Sequence, residues 1–551
     1  MFRHVHIGDC EAREPLLSGE YPEREQRDSD EEEIMFDRCT SKITCDPGGN
    51  AKRRLTYEEA VEEAGFGWFH WLLLVVCGWA NASDAVEILC VSFLLPTARC
   101  DLLLSSSDMG LLTSSIFLGM MVGGYTWGYL ADQRGRRRVL VVSLAVNGVF
   151  GGLASVAPWF WLFLLLRFIS GVGVGGSIPV VFSYFSEFMP RLRRGAMISA
   201  LAAFWMAGNI LAAGLAWLVI PSNWAHFSVG TLDFQSWRLF VALCSVPSLS
   251  SALLFRLFMP ESPKFLMETG REKEAIHVFQ VMFKLNTWGK GKNLPEFGLC
   301  TSSKQRGGPE ETRTHGGSRR ERLACGLRKV LMPMKQMFTG SLRSRSVALL
   351  LVFYCISFGY YGLWMWFPAL FERMESGGGS PCANTTATIT SPTLHNHSCY
   401  PVKTAVYMEG FIIAASNLPG NIFTIFMVDR LGGKALLSCS LLVSSLSVFL
   451  IYVVRTKVQS LVLCCVFSGV SVVTWNTLNV LGTELYPTQL RSSALGFFTS
   501  VARVAAIMGN VAFGGLVDTN CAVPVLLVSA LLLIGGLVAL VLPQTRQTEL
   551  A

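Results

Sequence analysis

GYLADQRGRRR, residues 128–138, returns in shortened form as MVDRLGGK, residues 427–434, and EFMPRLRR, residues 187–194, returns as ELYPTQLR, residues 484–491. From Asp132 to Asp429 is 297 residues, and from Glu187 to Glu484 is 297 again. Two kinds of charged turn kept at one spacing are the mark of a duplicated unit whose turns have stayed in register. The sequence between the turns is apolar, so the unit that was duplicated is one that sits in a membrane.

The chain of 551 residues is 51% hydrophobic and 15% charged, with mean hydropathy +0.43, more apolar than a soluble core of that size requires. Stretches long enough to cross a bilayer as helices fall near 72–96, 109–131, 139–157, 160–184, 196–220, 239–259, 347–370, 404–428, 435–454, 459–482, 493–516 and 522–542. The expected fold is therefore an all-α membrane protein with twelve transmembrane helices in two six-helix bundles. Residues 1–66 are expected as a largely disordered acidic tail, 67–260 as the first bundle, 261–346 as a basic linker, 347–543 as the second bundle and 544–551 as a short tail. The stretch 1–55 holds no apolar run of signal-peptide type.

Lys and Arg gather in the turns after the second and fourth spans and in the 260–346 segment, which makes those segments, and with them both termini, cytoplasmic by the positive-inside rule. The net charge of +7 then reflects topology, and nucleic-acid binding is not indicated. The loop 371–403 falls on the opposite, lumenal side, where Asn384 and Asn396 head glycosylation sequons and Cys382 and Cys399 are placed to pair in an oxidising lumen. Asn81 also heads a sequon but lies inside the first span. The remaining cysteines lack zinc-like spacing and read as small apolar filler. No Walker A pattern is present; no metal or other cofactor is expected, and neither an ATP-driven pump nor an enzyme.

In the tail, the run Asp28 to Glu33 is too charged to bury, Ser29 within it suits an acidophilic kinase, and Glu14-Pro15-Leu16-Leu17 resembles a dileucine sorting signal. The linker is expected to begin with a short amphipathic helix near 264–284. The repeated turns read as gates: Asp132, Arg136, Glu187 and Arg194 in the first half, Asp429, Glu484 and Arg491 in the second. A carboxylate facing guanidinium groups at a helix end forms a latch that opens when the halves rock apart. The competing reading is that these charges only fix topology and cap helices.

At this point the sequence shows a resemblance. GYLADQRGRRR, SEFMPRLRRGA, ELYPTQLRSSA and PESPK (260–264) look like turns of the major facilitator superfamily, in the branch that holds sugar and organic-ion transporters. SDAVEILCVSFLLP (83–96), SGVGVGGSIPVVFSYFSEF (170–188), FGYYGLWMWFP (358–368), LPGNIFTIFMVDRLG (418–432) and SGVSVVTWNTLNVLGTELYP (468–487) resemble the synaptic vesicle glycoprotein 2 family more closely. The resemblance spans about residues 56–546. Two features depart from that family: Asn479 stands where its members carry an acid, and the loop 371–403 is short where theirs is a long lumenal domain. PQTR at 543–546 also replaces the superfamily's usual Pro-Glu-Thr.

Ionisable groups at membrane depth are costly and mark function. Asp84 and Glu87, three apart on one face of the first span, suit proton or cation coupling; the alternative is a static pair with Arg503 of the eleventh span. Trp205, Tyr360, Tyr361, Trp364, Trp475, Asn476 and Asn479 supply aromatic faces and amides for a neutral polar solute or an organic cation. Trp68, Trp71, Trp159 and Trp161 fit interfacial belts, a reading that also competes for Trp364 and Trp366. The function expected is secondary active transport of a small organic solute, a sugar or an organic ion, by alternating access in a vesicle membrane or the plasma membrane, with the lipid bilayer and the solute as partners. The alternative is a non-transporting vesicle glycoprotein that regulates secretion through vesicle-protein partners at its N-terminal tail.

Overall fold

The computed structural model describes residues 54–222, 227–229, 232–287, 298–299, 335–340, 342–377, 402–486, 488–518, 520 and 522–543. Asn384, Asn396, Cys382 and Cys399 lie outside the described residues, and so do the side chains of Asp429, Glu484 and Arg491.

Among the described residues, eleven helices are long and apolar enough to cross a membrane, beginning with Trp68–Arg99 and ending with Ala522–Ala539. The eighth span comes in two pieces, Thr404–Ala415 and Asn417–Leu431. Sequence explains the break, because Pro419 has no amide hydrogen to offer the carbonyl of Ala415. The Ser416 hydroxyl at the joint donates instead to the carbonyls of Ile413 and, at 3.2 Å, of Cys465 in the tenth span. The seventh span likewise stops at Trp364 and resumes as Phe367–Gly377.

The duplication is legible helix by helix. The third, fourth and fifth spans start at Arg136, Phe160 and Arg191; the ninth, tenth and eleventh start one repeat interval later, at Gly433, Lys457 and Thr488. Gly135 (φ 99°) and Gly432 (φ 81°) close the repeated basic turns in the left-handed region, where a side chain would be strained. Within the first bundle the second and fourth spans touch backbone to backbone: a Cβ on Gly123 would lie 2.1 Å from the Val172 carbonyl oxygen. Such close approach is how helices associate in lipid, where apolar burial gives no net drive.

The two bundles meet mainly at the end away from the basic turns. There a Cβ on Gly110 would lie 2.9 Å from Gly514 Cα, Ser92 donates to the Met365 carbonyl at 2.7 Å, and Thr97 and Tyr407 share a hydrogen bond at 2.5 Å. Arg373 joins Asp518 and the Val517 carbonyl to Ser106 of the first bundle. Toward the basic turns the bundles are bridged by a long Tyr125–Ser500 hydrogen bond at 3.5 Å. Among the described residues, the hydrogen bonds between the bundles gather at the end away from the basic turns.

The acidic tail is ordered nearer its end than expected. Arg54–Leu55 pairs in parallel with Gly298–Leu299 of the linker. Tyr57–Glu63 is a helix with a Thr56 capping box, and Asn286 Nδ2 donates to the carbonyls of Ala64 and Gly65. The expected linker helix is two helices, Pro263–Glu268 and Glu272–Asn286, parted at Gly270. Together these pieces form a cap on the basic-turn end of the first bundle. Trp68, Trp71, Trp159 and Trp161 are exposed, whereas Trp364 and Trp366 are buried and the belt reading fails for them.

Candidate functional site

At the basic-turn end, Glu187 is the hub. Its carboxylate pairs with Arg136 at 2.7 Å and accepts from the Ser262 hydroxyl at 2.5 Å, while Tyr57 of the cap donates to its main-chain carbonyl. Burial pushes the Glu187 carboxyl up from its ordinary range, against the pull of Ser262 and Arg136. Asp132 is 78% exposed and stands 3.8 Å from Arg136, a loose contact. Arg194 faces Glu58 at 3.2 Å rather than Glu187. Arg137 joins the linker to the sixth span, its amide donating to Glu261 at 2.9 Å and its guanidinium to the Arg256 carbonyl. These contacts lie within the first bundle and its cap. The latch expected between the halves is, among the described residues, a clamp inside one half.

Asp84 and Glu87 do sit together, fully buried in the first bundle. Glu87 pairs with Arg167 of the fourth span and accepts from Ser170 at 2.9 Å. Asp84 accepts from Ser177 at 2.6 Å and from Asn147 at 3.3 Å. Asn147 ties the two acids into one network: it also accepts from Ser170 and donates to Ser248. One carboxylate oxygen, Glu87 Oε2, is buried with no hydrogen-bond partner, as is Arg167 Nε. A carboxylate oxygen in that state is where a proton can be held.

Arg503 is therefore not the partner of these acids. Its guanidinium lies over the Tyr361 ring, 6.0 Å from the centroid, because the helix that carries it packs against the second bundle's seventh span. Arg167 was the residue to find, and its signal was present as a lone arginine inside the apolar run 160–184.

In the second bundle the structure brings four of the expected aromatic residues together. Tyr360 stacks on Trp364 at 5.5 Å, and Trp475 stands 6.5 Å from Tyr360 and 6.0 Å from Tyr361. Phe117 of the first bundle meets Tyr361 edge-on at 4.9 Å, so the cluster lies on the seam between the bundles. Trp364 Nε1 donates to Ser468 at 3.0 Å and Ser468 to Asn417. Asn476 is engaged with Asn421 at 2.8 Å, Asn479 is exposed one turn along from Trp475, and half-buried Trp205 makes no ring contact among the described residues. Two surface grooves of about 480 and 400 Å³, at Trp68 and Leu285 and at Leu111 and Trp161, lie elsewhere and hold none of these aromatic or charged groups. No cluster of metal-ligating side chains occurs among the described residues.

Known proteins fit this arrangement. A family model described as Major Facilitator Superfamily matches residues 72–394 and 403–550. Synaptic vesicle glycoprotein 2C of Rattus norvegicus is 32% identical over 586 residues, covering 89% of this chain and 80% of that protein. Synaptic vesicle glycoprotein 2B of Homo sapiens is 32% identical over 592 residues, covering 90% and 86%. Among solved structures, the partially occluded inward-open conformation of the xylose transporter XylE from E. coli superposes with a TM-score of 0.62 at 16% identity, over 86% of this chain and 98% of that one. A bacterial homolog of the human lysosomal transporter Spinster gives 0.59 at 12%, over 85% and 95%. At those identities the structural likeness speaks for the fold. The chain is a multi-pass membrane protein of the major facilitator superfamily, with its transporter fold, and belongs within it to the synaptic vesicle glycoprotein 2 family.

Proposed function

We propose that this protein is a secondary active transporter that carries a small organic solute across a vesicle membrane by alternating access, with proton movement through Asp84, Glu87 and Arg167. The observation that carries this reading is the one-sidedness of the described contacts between the bundles: glycine-on-glycine contact and the Arg373 bridge at one end, one long hydrogen bond toward the other, and an aromatic cluster on the seam between them. A scaffold has no need of a seam whose contacts are so one-sided. A D-xylose–proton symporter is among the proteins of like fold, which supports proton coupling. The names of the sequence relatives support a vesicle membrane.

Protonation of Glu87 would loosen its pairing with Arg167 and free Ser170 and Asn147 to exchange partners, which makes the first bundle's packing depend on the proton. The test is uptake by the full chain reconstituted in proteoliposomes. A pH gradient should drive uptake, and Asp84→Asn should abolish the gradient response while leaving the protein folded. Uptake in Asp84→Asn that still follows the gradient would sink the coupling assignment. The partner-binding alternative makes the opposite forecast, a cellular effect lost on deleting residues 1–53 and kept in Asp84→Asn.

A further inference from the structure

Arg503 lies at the midpoint of its helix, Thr488–Leu516, about 20 Å from either end at 1.5 Å per residue. Among the described residues its guanidinium has no hydrogen bond and no ion pair, only the face of Tyr361. By contrast, Arg167 pairs with Glu87, Arg238 with Asp101, and Lys457 with Glu375 and Glu409, while Asp84 is held by Ser177 and Asn147. Beside the same Tyr361 ring stands Trp475, whose indole N–H is buried and also without a partner. Two hydrogen-bond donors, one of them cationic, thus flank one ring on the seam between the bundles, and among the described residues no carboxylate side chain meets either.

The Trp475 indole N–H, buried without an acceptor, and beside it the partly exposed Arg503 guanidinium, with none among the described residues, mark a place where a ligand can supply acceptors. A guanidinium fork matches the two oxygens of a carboxylate, and the Tyr360, Trp364 and Trp475 rings offer flat apolar surface for the body of the same molecule. An organic cation would face Arg503 with like charge, and a sugar would leave that charge uncompensated. We propose that the solute is an organic anion, a carboxylate on a flat or aromatic body, with Arg503 as its charge partner and Trp475 as a second donor. This rests on the transport reading for the solute's fate and on the orphaned donors for its class, and the two can fail separately.

The experiment is equilibrium dialysis of the detergent-purified full chain, with no gradient, against benzoate, phenylacetate and indole-3-acetate and against their neutral amides. The acids should bind about 10- to 100-fold more tightly than the amides, the range expected for a hydrogen-bonded charge. Arg503→Gln should remove that preference and leave amide affinity within about twofold. Arg503→Lys, which keeps the charge but not the fork, should fall between. Equal binding of acids and amides by the wild type, or a preference that survives Arg503→Gln, overturns the assignment. Should Arg503→Gln not fold, Arg503→Lys with an unchanged acid-to-amide ratio overturns it as well. Acid binding without uptake in proteoliposomes would instead overturn transport and leave the anion site standing; uptake of neutral solutes untouched by Arg503→Gln would do the reverse.

Discussion

In the fourth span Arg167, Ser170 and Ser177 hold the charged network together with Asn147 of the third; one repeat interval on, the same positions carry Cys464, Phe467, Thr474 and Ser444. Conversely, Arg503 and Trp475 in the second copy answer to Met206 and Ile178 in the first. Charge in the first bundle is sealed inside, with partners on neighbouring helices. In the second, Lys457 pairs with Glu375 and Glu409 and Arg373 with Asp518, while Arg503 lies over the Tyr361 ring on the seam with no ion pair among the described residues. Under the proposed transport the two copies of one scaffold would divide the labour: one keeps its ionisable groups buried and paired, as suits a proton, and the other leaves Arg503 and the Trp475 N–H open, as suits a solute. The shared backbone register shows that this division was made by side chains, with the helix frame unchanged.

The comparison breaks first at Arg167. Arg167→Leu leaves Glu87 buried without its counter-charge and should cost about 3–5 kcal/mol, seen as a large drop in the thermal unfolding of purified protein; Glu87→Leu with Arg167→Leu should restore most of it. A single variant as stable as the wild type would mean that the first bundle is not held by its charges. Next comes the sealed end. Gly514→Ala places a Cβ 2.8 Å from Gly110 Cα and should disfavour the closed seam by about 1–3 kcal/mol. That shift should lower the reactivity of Asn479→Cys toward a membrane-impermeant maleimide applied from the basic-turn side; unchanged labelling would count against the two-state reading.

Smaller effects sharpen the cap. Glu58 meets Arg191 and Arg194 while partly exposed, so Glu58→Ala should cost about 1 kcal/mol or less and mainly quicken hydrogen exchange over 57–63. Smallest is the pH response of that cap. Burial raises the Glu187 carboxyl, so the docked cap binds the proton more tightly than an undocked one. The Glu187 contribution is fully present below the ordinary glutamate value and is lost as pH rises through the raised one. Exchange over 57–63, corrected for its intrinsic pH dependence, should slow on acidification, and Glu187→Gln should flatten that trend. Exchange that quickens on acidification in the wild type would reverse the sign assigned to Glu187.

The fold was largely legible because spans, turns and repeat are local signals: apolar length, Gly135 and Gly432 after their acidic turns, and the fixed interval between copies. Pro419 announced a weak point in the eighth span without saying that the helix would break there. Partnerships were harder, since they are set by which helix faces which. Asp84 and Glu87 could be read from the first span, but choosing Arg167 over Arg503 requires knowing that the fourth span packs beside the first and the eleventh does not. The four aromatic residues that do meet share the seventh and tenth spans, while Trp205, on the far side of the seam, had an equal claim by composition. Arg54–Leu55 joins Gly298–Leu299 across the whole of the first bundle's sequence, and no periodicity foretells such a pair.

The fifth span, Arg191–Val219, and the eleventh, Thr488–Leu516, are each 29 residues long and begin one repeat apart. At about 1.5 Å per residue they are beams of equal length, close to 43 Å, standing on opposite sides of the seam. If the bundles rock as proposed, beams of equal length would exchange angle for angle, so that whatever opening one mouth gained the other would give up. A one-residue insertion in either helix would rotate its far end by about 100°, turning the faces that now seal the seam toward lipid.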